Sequence, residues 1–122
     1  MGVEIRGRCP RNERGHRFNV NTFHDWYMYR CLLEETGVFH PNEIKAMRYN
    51  DDKGRATAEQ AKEAAERLRK TEAYSEGVRY FKEGRVNSIL TDLDVKEFVA
   101  FLESCGGFIV GANDVGEILI DV

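Results

Sequence analysis

The spacing of apolar residues changes along this chain, and each spacing predicts a different element. At the start, Val3 and Ile5 alternate with polar neighbours, which is the period of a half-buried strand. Apolar side chains then crowd a segment that Thr22 and Asp25 introduce with a capping-box pattern. We therefore predict a first strand, a loop, and then a largely apolar central helix that runs to about Glu35.

Caps and helical periods predict further helices in the middle of the chain. Pro41 suits the first position of a brief helix in PNEIKAM, and Thr57 with Gln60 forms a capping box before AEQAKEAAERL. The stretch YNDDKGR between them is polar, contains a glycine and predicts a loop. The apolar spacing in 74–82 predicts another helix, with Gly84 as its stop.

The last third of the chain combines a helix with strand-like segments. Asp94 and Glu97 resemble a helix cap, and apolar residues continue at helical spacing as far as Cys105. The glycine pair that follows should end this helix. FIVG and EILIDV are both strand-like, and the sequence ANDVG between them suits a hairpin turn.

These elements define the expected fold class. We predict an α+β protein in which three to four helices pack on a small sheet, formed by the N-terminal strand and the C-terminal hairpin. The chain has 122 residues, of which 42% are hydrophobic, and it contains only two prolines. Residues 1–122 should therefore form a single domain around one core.

Apolar runs and cysteines indicate the compartment. No run approaches the roughly 18 apolar residues of a membrane span, and the first residues lack the apolar centre of a secretory signal. Cys9, Cys31 and Cys105 are widely spaced and odd in number, which fits reduced thiols better than a disulfide framework. We therefore expect a soluble, cytoplasmic protein that has no membrane partner.

Charge is unevenly distributed along the chain. Residues 1–17 hold five arginines against two glutamates, whereas residues 92–122 hold seven acidic residues against Lys96. A short basic segment could contact phosphate, but the whole chain carries a net charge of −3 and solvated surface charge explains such a segment more simply. The sequence therefore argues against a nucleic-acid partner.

Cys105 is the first residue to examine for catalysis, since it lies beside two glycines. A nucleophilic cysteine needs a stabilised thiolate, usually at a helix N-terminus or beside a cation. Cys105 instead falls in the last turn of the predicted helix, where the helix dipole disfavours a thiolate, and it continues the apolar face. We interpret it as a small core residue, assign no catalytic residue, and favour a role other than an enzyme.

Metal and cofactor sites find little support in the spacing of ligand residues. Four possible zinc ligands lie seven or eight positions apart, wider than structural zinc motifs allow: Cys9, His16, His24 and Cys31. The YNDDKG loop fails as a calcium loop, because placing Gly54 sixth puts Gln60 where a glutamate is required. No phosphate-binding or dinucleotide-binding glycine motif is present. We therefore predict no metal and no cofactor.

Several stretches together carry a family resemblance. MGVEIRGRCPRNERGHRFNVN, the YNDD loop, AEQAKEAAERL and VKEFVAFLESCGGF resemble small uncharacterised proteins of bacteria and of phage or prophage genomes. Those proteins open with MGxDxxGxxPxxExGxxFxxN and end with a helix of the form VxEFxxFxxxxGGF. The matching positions are Gly2, Gly7, Pro10, Glu13, Gly15, Phe18, Asn21, Tyr49, Asn50, Asp51, Phe98, Phe101, Gly106, Gly107 and Phe108.

The chain departs from this family at two places. Relatives often have a tryptophan-rich run after the asparagine, whereas this chain has NTFHDWYMYR with Trp26 alone. Relatives commonly have serine or another small residue where this chain has Cys105, which agrees with a packing role. The resemblance implies no particular activity. It implies a context in which small proteins of mobile elements bind host proteins or defence components.

Two functions from different classes remain open. The first is a binding or regulatory protein with a host or phage protein partner, such as a phage-encoded modulator of a host or defence component. The second is a small ligand-binding protein or enzyme with a pocket around Asn21, Asn50 and Asp51, because loop asparagines and aspartates often bind ligands. The oligomeric state cannot be deduced from the sequence. The candidate binding residues are Glu13, Asn21, Trp26, Tyr49, Asn50 and Asp51.

Overall fold

The computed structural model describes residues 2–75, 78–83 and 86–111, with side chains over 2–75 and 89–111. The strands are β1 (Val3–Gly7), β2 (Arg17–Val20), β3 (Gly54–Ala56), β4 (Val78–Glu83), β5 (Val86–Thr91) and β6 (Phe108–Val110). The helices are α1 (Phe23–Glu35), α2 (Pro41–Ala46), α3 (Ala58–Leu68), α4 (Glu72–Ser75) and α5 (Asp92–Ser104), with a 3₁₀ turn at Glu13–Gly15.

Four of these strands form one antiparallel sheet in the order β2-β1-β6-β3. Ile5 at its centre pairs with Phe18 on one side and with Val110 on the other, and Val110 in turn pairs with Gly54. The α+β fold class, the first strand and the strand at FIV are therefore confirmed. The second strand of the predicted C-terminal hairpin, in 117–122, lies outside the described residues.

An aromatic cluster joins the sheet to two helices. Phe18 of β2 contacts Tyr29 of α1 and Phe98 of α5, with ring centroids 5.1 and 5.0 Å apart, and the Tyr29 and Phe98 rings are 4.9 Å apart. Trp26 lies beside them and is wholly buried. The prediction of an apolar central helix is confirmed, because α1 supplies much of this core.

The predicted caps are confirmed for α1 and α3, whereas α5 begins earlier than expected. Thr22 Oγ1 accepts a hydrogen bond from the Asp25 amide, and Thr57 forms the predicted box with Gln60. At α5 the N-cap is Thr91, whose amide donates to the Asp94 carboxylate at 3.0 Å. Asp94 is therefore the third helical residue and not the cap, because Thr91 offers a hydroxyl one turn before it.

The helix predicted over 74–82 is wrong. α4 ends at Ser75, and Val78–Glu83 is a strand that pairs antiparallel with Val86–Thr91 as a separate two-stranded sheet. Valine, tyrosine and phenylalanine in VRYFKE favour a strand, and VNSILT supplies its partner. The apolar spacing alone could not distinguish the two states over so short a segment.

Two short strands lie where the sequence predicted loops. β2 occupies the end of the loop expected before α1, and β3 includes the end of YNDDKGR. Three or four residues are too few for an alternating pattern to show, and both strands form because β1 and β6 pair with them. Gly54 is buried against Met47, where an added Cβ would lie 2.4 Å from the Met47 Cα.

Candidate functional site

Trp26, one of the predicted binding residues, has its whole side chain in the core. Its indole Nε1 donates a hydrogen bond to the carbonyl oxygen of Met47 at 2.7 Å, and its side chain has no exposed surface. A buried indole N–H needs such an acceptor. Trp26 therefore anchors the residue after α2, Met47, from the core side and presents no surface to a ligand in this structure.

The three loop residues from Tyr49 to Asp51 lie on the surface just after that anchor. Asn50 binds the backbone of β1 with both ends of its amide: Nδ2 donates to Gly2 O at 2.7 Å, and Oδ1 accepts from the Glu4 amide at 3.1 Å. Asp51 Oδ1 accepts from the Lys53 amide at 3.1 Å, as in an Asx turn. Asn50 and Asp51 thus have hydrogen-bonding roles within the fold.

The structure brings most of the predicted site residues to one end of β1. An added Cβ at Gly2 would lie 3.5 Å from the Asn21 carbonyl, so Asn21 and Asn50 both adjoin Gly2. The Tyr49 ring lies 6.2 Å from the Phe23 ring in the same region. Glu13 does not belong to this group. It lies in the 3₁₀ turn near the end of α5, beside the opposite end of β1.

Sequence patterns missed a buried ion pair that joins this loop to the sheet. Arg6 is only 3% exposed; its Nη2 lies 3.1 Å from the Asp52 carboxylate, and its Nε donates to Gly111 O at 2.7 Å. Asp52 has a φ of 64°, a left-handed conformation that aspartate adopts more readily than most residues. Arginine inside a strand period was the available signal, although the charge pattern alone predicts solvated surface charge there.

The N-terminal arginines are consequently not a free basic arm. Arg6 is buried, and Arg17 forms an ion pair with Glu4 on the neighbouring strand. Arg8 is half-buried, and its amide donates to the Gly107 carbonyl at 2.8 Å. The ion pairs of Arg6 and Arg17 offset part of the charge that a phosphate backbone would need.

Cys105 lies at the C-terminal end of α5 and is wholly buried, as expected for a core residue. Its thiol donates to the Leu102 carbonyl, with sulfur and oxygen 3.5 Å apart. Burial raises the pKa of the Cys105 thiol from 9.0 to about 11. The sulfur is therefore protonated and enclosed near neutral pH, which is unsuited to nucleophilic attack. Gly106 and Gly107 have the positive φ expected after a helix.

Neither a metal centre nor a membrane span is found within the described ranges. Over 2–75, 78–83 and 86–111, no group of three or more His, Cys, Asp or Glu residues is arranged to hold a metal ion. Each helix in that part of the chain is too short or too polar to cross a bilayer.

A basic cavity of about 390 Å³ lies between β2 and α5. Arg14, Arg17 and Lys96 contribute positive charge against the single carboxylate of Glu97, and the rings of Phe18 and Phe101 contribute apolar surface. We call it the basic cavity. Its Lys96 ammonium lies 3.4 Å from a carboxylate oxygen of Asp92 one turn earlier in α5.

Leu93 lines the basic cavity from the first turn of α5 and is 67% exposed. Ile89, near the end of β5, is 50% exposed and lines a neighbouring cavity that shares Phe18 and Glu97 with the basic cavity. Both are large apolar side chains within five residues of sequence. We call the surface formed by the basic cavity, Leu93 and Ile89 the β2–α5 face.

A second cavity of about 330 Å³ adjoins the first, since Phe18 and Glu97 line both. We call it the acidic cavity, because its charged lining residues are Asp25, Asp94 and Glu97. The Tyr29 ring also lines it. Burial raises the pKa of Tyr29 well above its ordinary value, and the carboxylates of Asp94, Asp25 and Glu97 raise that pKa further.

Sequence reasoning had found only part of this arrangement. Asn21 lines the acidic cavity, but the three carboxylates were interpreted as helix-cap residues or as part of the acidic C-terminal third. They come together because α1 and α5 both pack against β2. A sequence pattern could not have found this, since it depends on how two distant helices pack.

Comparison with known proteins finds no match to this chain among protein-family models, curated proteins or solved structures. The function is therefore argued from the residues and their geometry.

Proposed function

We propose that this chain is a binding protein that recognises a protein partner through the β2–α5 face. The observation that carries the proposal is Leu93, a large apolar side chain that is 67% exposed at the edge of the basic cavity. Scattered exposed leucines are common on monomers. An exposed leucine beside a cavity that combines aromatic walls with arginine is a more specific arrangement, because aromatic residues and arginine are enriched at binding interfaces.

The charge around Leu93 specifies the chemistry of the partner. Arg14, Arg17 and Lys96 line a cavity with phenylalanine walls, against one acidic lining residue, Glu97. Arg17 and Lys96 also pair with Glu4 and Asp92, but such partly exposed ion pairs are weak and can exchange for a carboxylate of a partner. The best occupant is therefore a protein segment with an acidic residue next to an apolar one. The apolar side chain would lie against Phe18 and Leu93, and the carboxylate would face the cations. Guanidinium groups suit this role, since they bind carboxylates through two parallel hydrogen bonds.

The sequence resemblance supplies the biological context of the proposal. Because the chain resembles small proteins of bacteria, phages and prophages, we propose a host or phage protein as the partner and modulation of a host or defence component as the role. We also propose that the protein acts in the cytoplasm. Cys9, Cys31 and Cys105 are free thiols, which agrees with a reducing compartment.

The alternative, a ligand pocket formed by Asn21, Asn50 and Asp51, has less support. The side-chain amide of Asn50 and one carboxylate oxygen of Asp51 already bind backbone groups, as turn residues do. Asn21 adjoins Gly2 but lines the acidic cavity on the other side. The three residues therefore do not face a common pocket among the described residues.

Capture with matched variants tests the proposed face. Tagged wild-type protein and the Leu93→Ser variant are incubated with bacterial lysate, and the retained proteins are identified by mass spectrometry. Tyr49→Ser is the control, because Tyr49 is also a large exposed side chain, 56% exposed, but belongs to the alternative site. We expect one stoichiometric partner that Leu93→Ser loses and Tyr49→Ser keeps. The purified partner should then bind at least tenfold more weakly to Leu93→Ser in calorimetry, a loss of about 1.4 kcal/mol.

The reverse pattern has an equally clear meaning. A partner that is lost with Tyr49→Ser and kept with Leu93→Ser would move the interface to the Asn50 loop. Retention of every captured protein by both variants would contradict binding through either surface. All three proteins should have the same thermal stability, because exposed substitutions usually change the free energy of unfolding by less than about 0.5 kcal/mol.

A further inference from the structure

We propose that the segment 117–122 of this chain, EILIDV, binds the basic cavity of its own molecule and thereby competes with a partner for the β2–α5 face. The competition rests on the proposed function, whereas the binding of the segment does not. Residues 112–122 lie outside the part of the chain that the structure describes, and what identifies the segment is its sequence.

The strand beside which this segment was expected already has two neighbours. The strand-like pattern of EILIDV predicts a hairpin with FIVG, but β6 lies between β1 and β3 and pairs with both of them. Phe108–Val110 therefore has no edge left for a further strand. The outer strands of the described sheet are β2 and β3, and β2 is the one that adjoins the basic cavity.

The sequence of the segment has the chemistry that the basic cavity selects. Glu117, Leu119 and Asp121 occupy alternate positions, and alternate side chains of an extended segment lie on the same side. One side of EILIDV therefore presents a carboxylate, a leucine and a second carboxylate. This is the combination of acidic and apolar groups that suits cationic and aromatic walls.

Charge and apolar surface favour the same pairing. Residues 112–122 contain three acidic residues and no lysine, arginine or histidine. The basic cavity has three cationic lining residues against the carboxylate of Glu97, and its edge carries Leu93, which is 67% exposed. Opposite charges attract the segment to the cavity, and contact between Leu119 and Leu93 removes apolar surface of both from water.

The segment is close enough to reach the cavity of its own molecule. The amide of Gly111, the last described residue, donates to the Glu4 carbonyl oxygen at 2.8 Å, and Glu4 pairs with Asn19 on β2. Two strand spacings, about 10 Å, therefore separate Gly111 from β2. The five residues 112–116 span up to about 16 Å when extended. Glu117 can therefore reach the edge of β2, where the cavity lies.

A connection this short favours the segment's own molecule over a second copy. Tethering by a few residues gives an effective concentration in the millimolar range, far above that of a second copy in dilute solution. The stretch ANDVG, which precedes the segment, contains Asn, Asp and Gly. These residues suit the change of direction that a path from β6 to β2 requires.

NMR of the full chain tests whether the segment occupies the cavity. Glu117→Gln combined with Asp121→Asn removes both charges at constant size, and we call this protein the tail variant. The methyl signals of Leu93 should shift in the tail variant relative to wild type. Glu59→Gln combined with Glu66→Gln, at exposed positions of α3, is the matched control and should leave those signals unchanged.

A peptide probe measures the competition. EILIDV peptide with blocked ends is titrated into wild type and into the tail variant, and the Leu93 methyl signals report binding. If the segment occupies about nine cavities in ten, the peptide should bind the tail variant about tenfold more tightly than wild type. Adding Leu93→Ser to the tail variant should weaken peptide binding at least tenfold, followed by calorimetry.

Unchanged Leu93 signals in the tail variant would overturn the proposal, as would an equal shift in the matched control. Signals that change with protein concentration would assign the segment to a second copy and overturn binding within one molecule. A tail variant of lower thermal stability, with shifted signals throughout β1 and β6, would make the segment a structural strand instead. Equal peptide binding to wild type and tail variant through Leu93 would overturn occupation by the chain's own segment and still leave the face as a site for acidic and apolar segments.

Discussion

Asn50 donates its side-chain N–H to the carbonyl oxygen of Gly2 at 2.7 Å, so a loop residue closes the free end of the first strand. The oxygen of the same side-chain amide accepts a hydrogen bond from the backbone amide of Glu4, two residues after Gly2. A side-chain amide can pair with an extended backbone in this way because it has one donor and one acceptor side, like a peptide group. The loop is thereby fixed to the sheet over a sequence separation of more than 40 residues.

The first prediction concerns the stability that this amide provides. Asn50→Ala should lower the free energy of unfolding by about 1–2 kcal/mol, because two hydrogen bonds of about 1 kcal/mol each are lost and water can replace part of them. Asp51→Ala is the matched control, with one turn hydrogen bond and an expected loss below about 1 kcal/mol. Chemical denaturation of the three proteins measures both values. An Asn50→Ala variant as stable as wild type would favour a ligand role for this amide.

The second prediction concerns the buried pair of Arg6 and Asp52. Asp52→Ala removes the carboxylate that pairs with the buried guanidinium of Arg6, while Arg6 Nε still donates to the Gly111 carbonyl oxygen at 2.7 Å. Removing one member of a buried pair costs about 3–5 kcal/mol, and Asp52 is partly exposed, so we expect a loss near the lower end of that range. Chemical denaturation of Asp52→Ala, with Asp51→Ala as the control, measures this loss in the free energy of unfolding.

The double variant Arg6→Met with Asp52→Ala distinguishes the effect of the buried charge on stability from the effect of side-chain packing. Replacing both members by apolar groups removes the buried charge that has lost its carboxylate, and the free energy of unfolding should recover in part. A double variant that is less stable than Asp52→Ala alone would contradict an origin in the buried charge of Arg6.

The sequence predicted those parts of the fold that depend on local chemistry. The threonine caps of α1 and α3 and the glycines after α5 were predictable, since each acts on backbone groups within a few residues. β2 and β3 were not, because their three or four residues become strands only by pairing with segments far away in the chain. The segment 78–83 was wrongly predicted for the same reason: its partner decides its conformation.

The candidate site was predicted only in part, for a related physical reason. Asn21 and Asn50 do lie near the same strand end, but the contacts of Asn50 are structural ones that a sequence pattern does not distinguish from a binding role. The acidic cavity depends on Asp25 and Asp94 from helices 69 residues apart. Only the packing of α1 and α5 on β2 brings those carboxylates together.

The third prediction concerns the glycine that precedes β6. Gly107 has a φ of 92°, and an added Cβ would lie 2.8 Å from the Ala56 carbonyl oxygen. Gly107→Ala should therefore cost more than the roughly 1 kcal/mol of a positive φ, because backbone atoms of the neighbouring strand must also shift. Gly37→Ala is the control: its φ is 73°, but the nearest atom is the flexible end of Arg67, 3.4 Å away. Thermal denaturation should show the larger fall in Tm for Gly107→Ala, and equal falls would contradict the close approach.

The fourth prediction follows from the pKa of Cys105, which burial raises from 9.0 to about 11. The folded protein holds the thiol proton more tightly than the unfolded chain does, so the stabilising contribution is complete below about pH 9 and is lost as the pH rises towards 11. A pKa shift of this size corresponds to a loss of about 2–3 kcal/mol in the free energy of unfolding once the thiol has titrated in both states. Cys105→Ala is less stable at neutral pH because it leaves a cavity, but its stability should fall less steeply over this interval.

The difference in unfolding free energy between wild type and Cys105→Ala isolates the contribution of Cys105, since tyrosines and lysines titrate in both proteins. Urea denaturation at several pH values from 8 to 11 would measure it, and parallel curves for wild type and Cys105→Ala would contradict a buried, protonated thiol. Thiol labelling under native conditions adds an independent check. Cys9 is exposed and should react at once, whereas Cys105 should react only through unfolding. Rapid labelling of Cys105 in the folded protein would mean that its sulfur is accessible, and it would contradict the interpretation of Cys105 as a buried core residue.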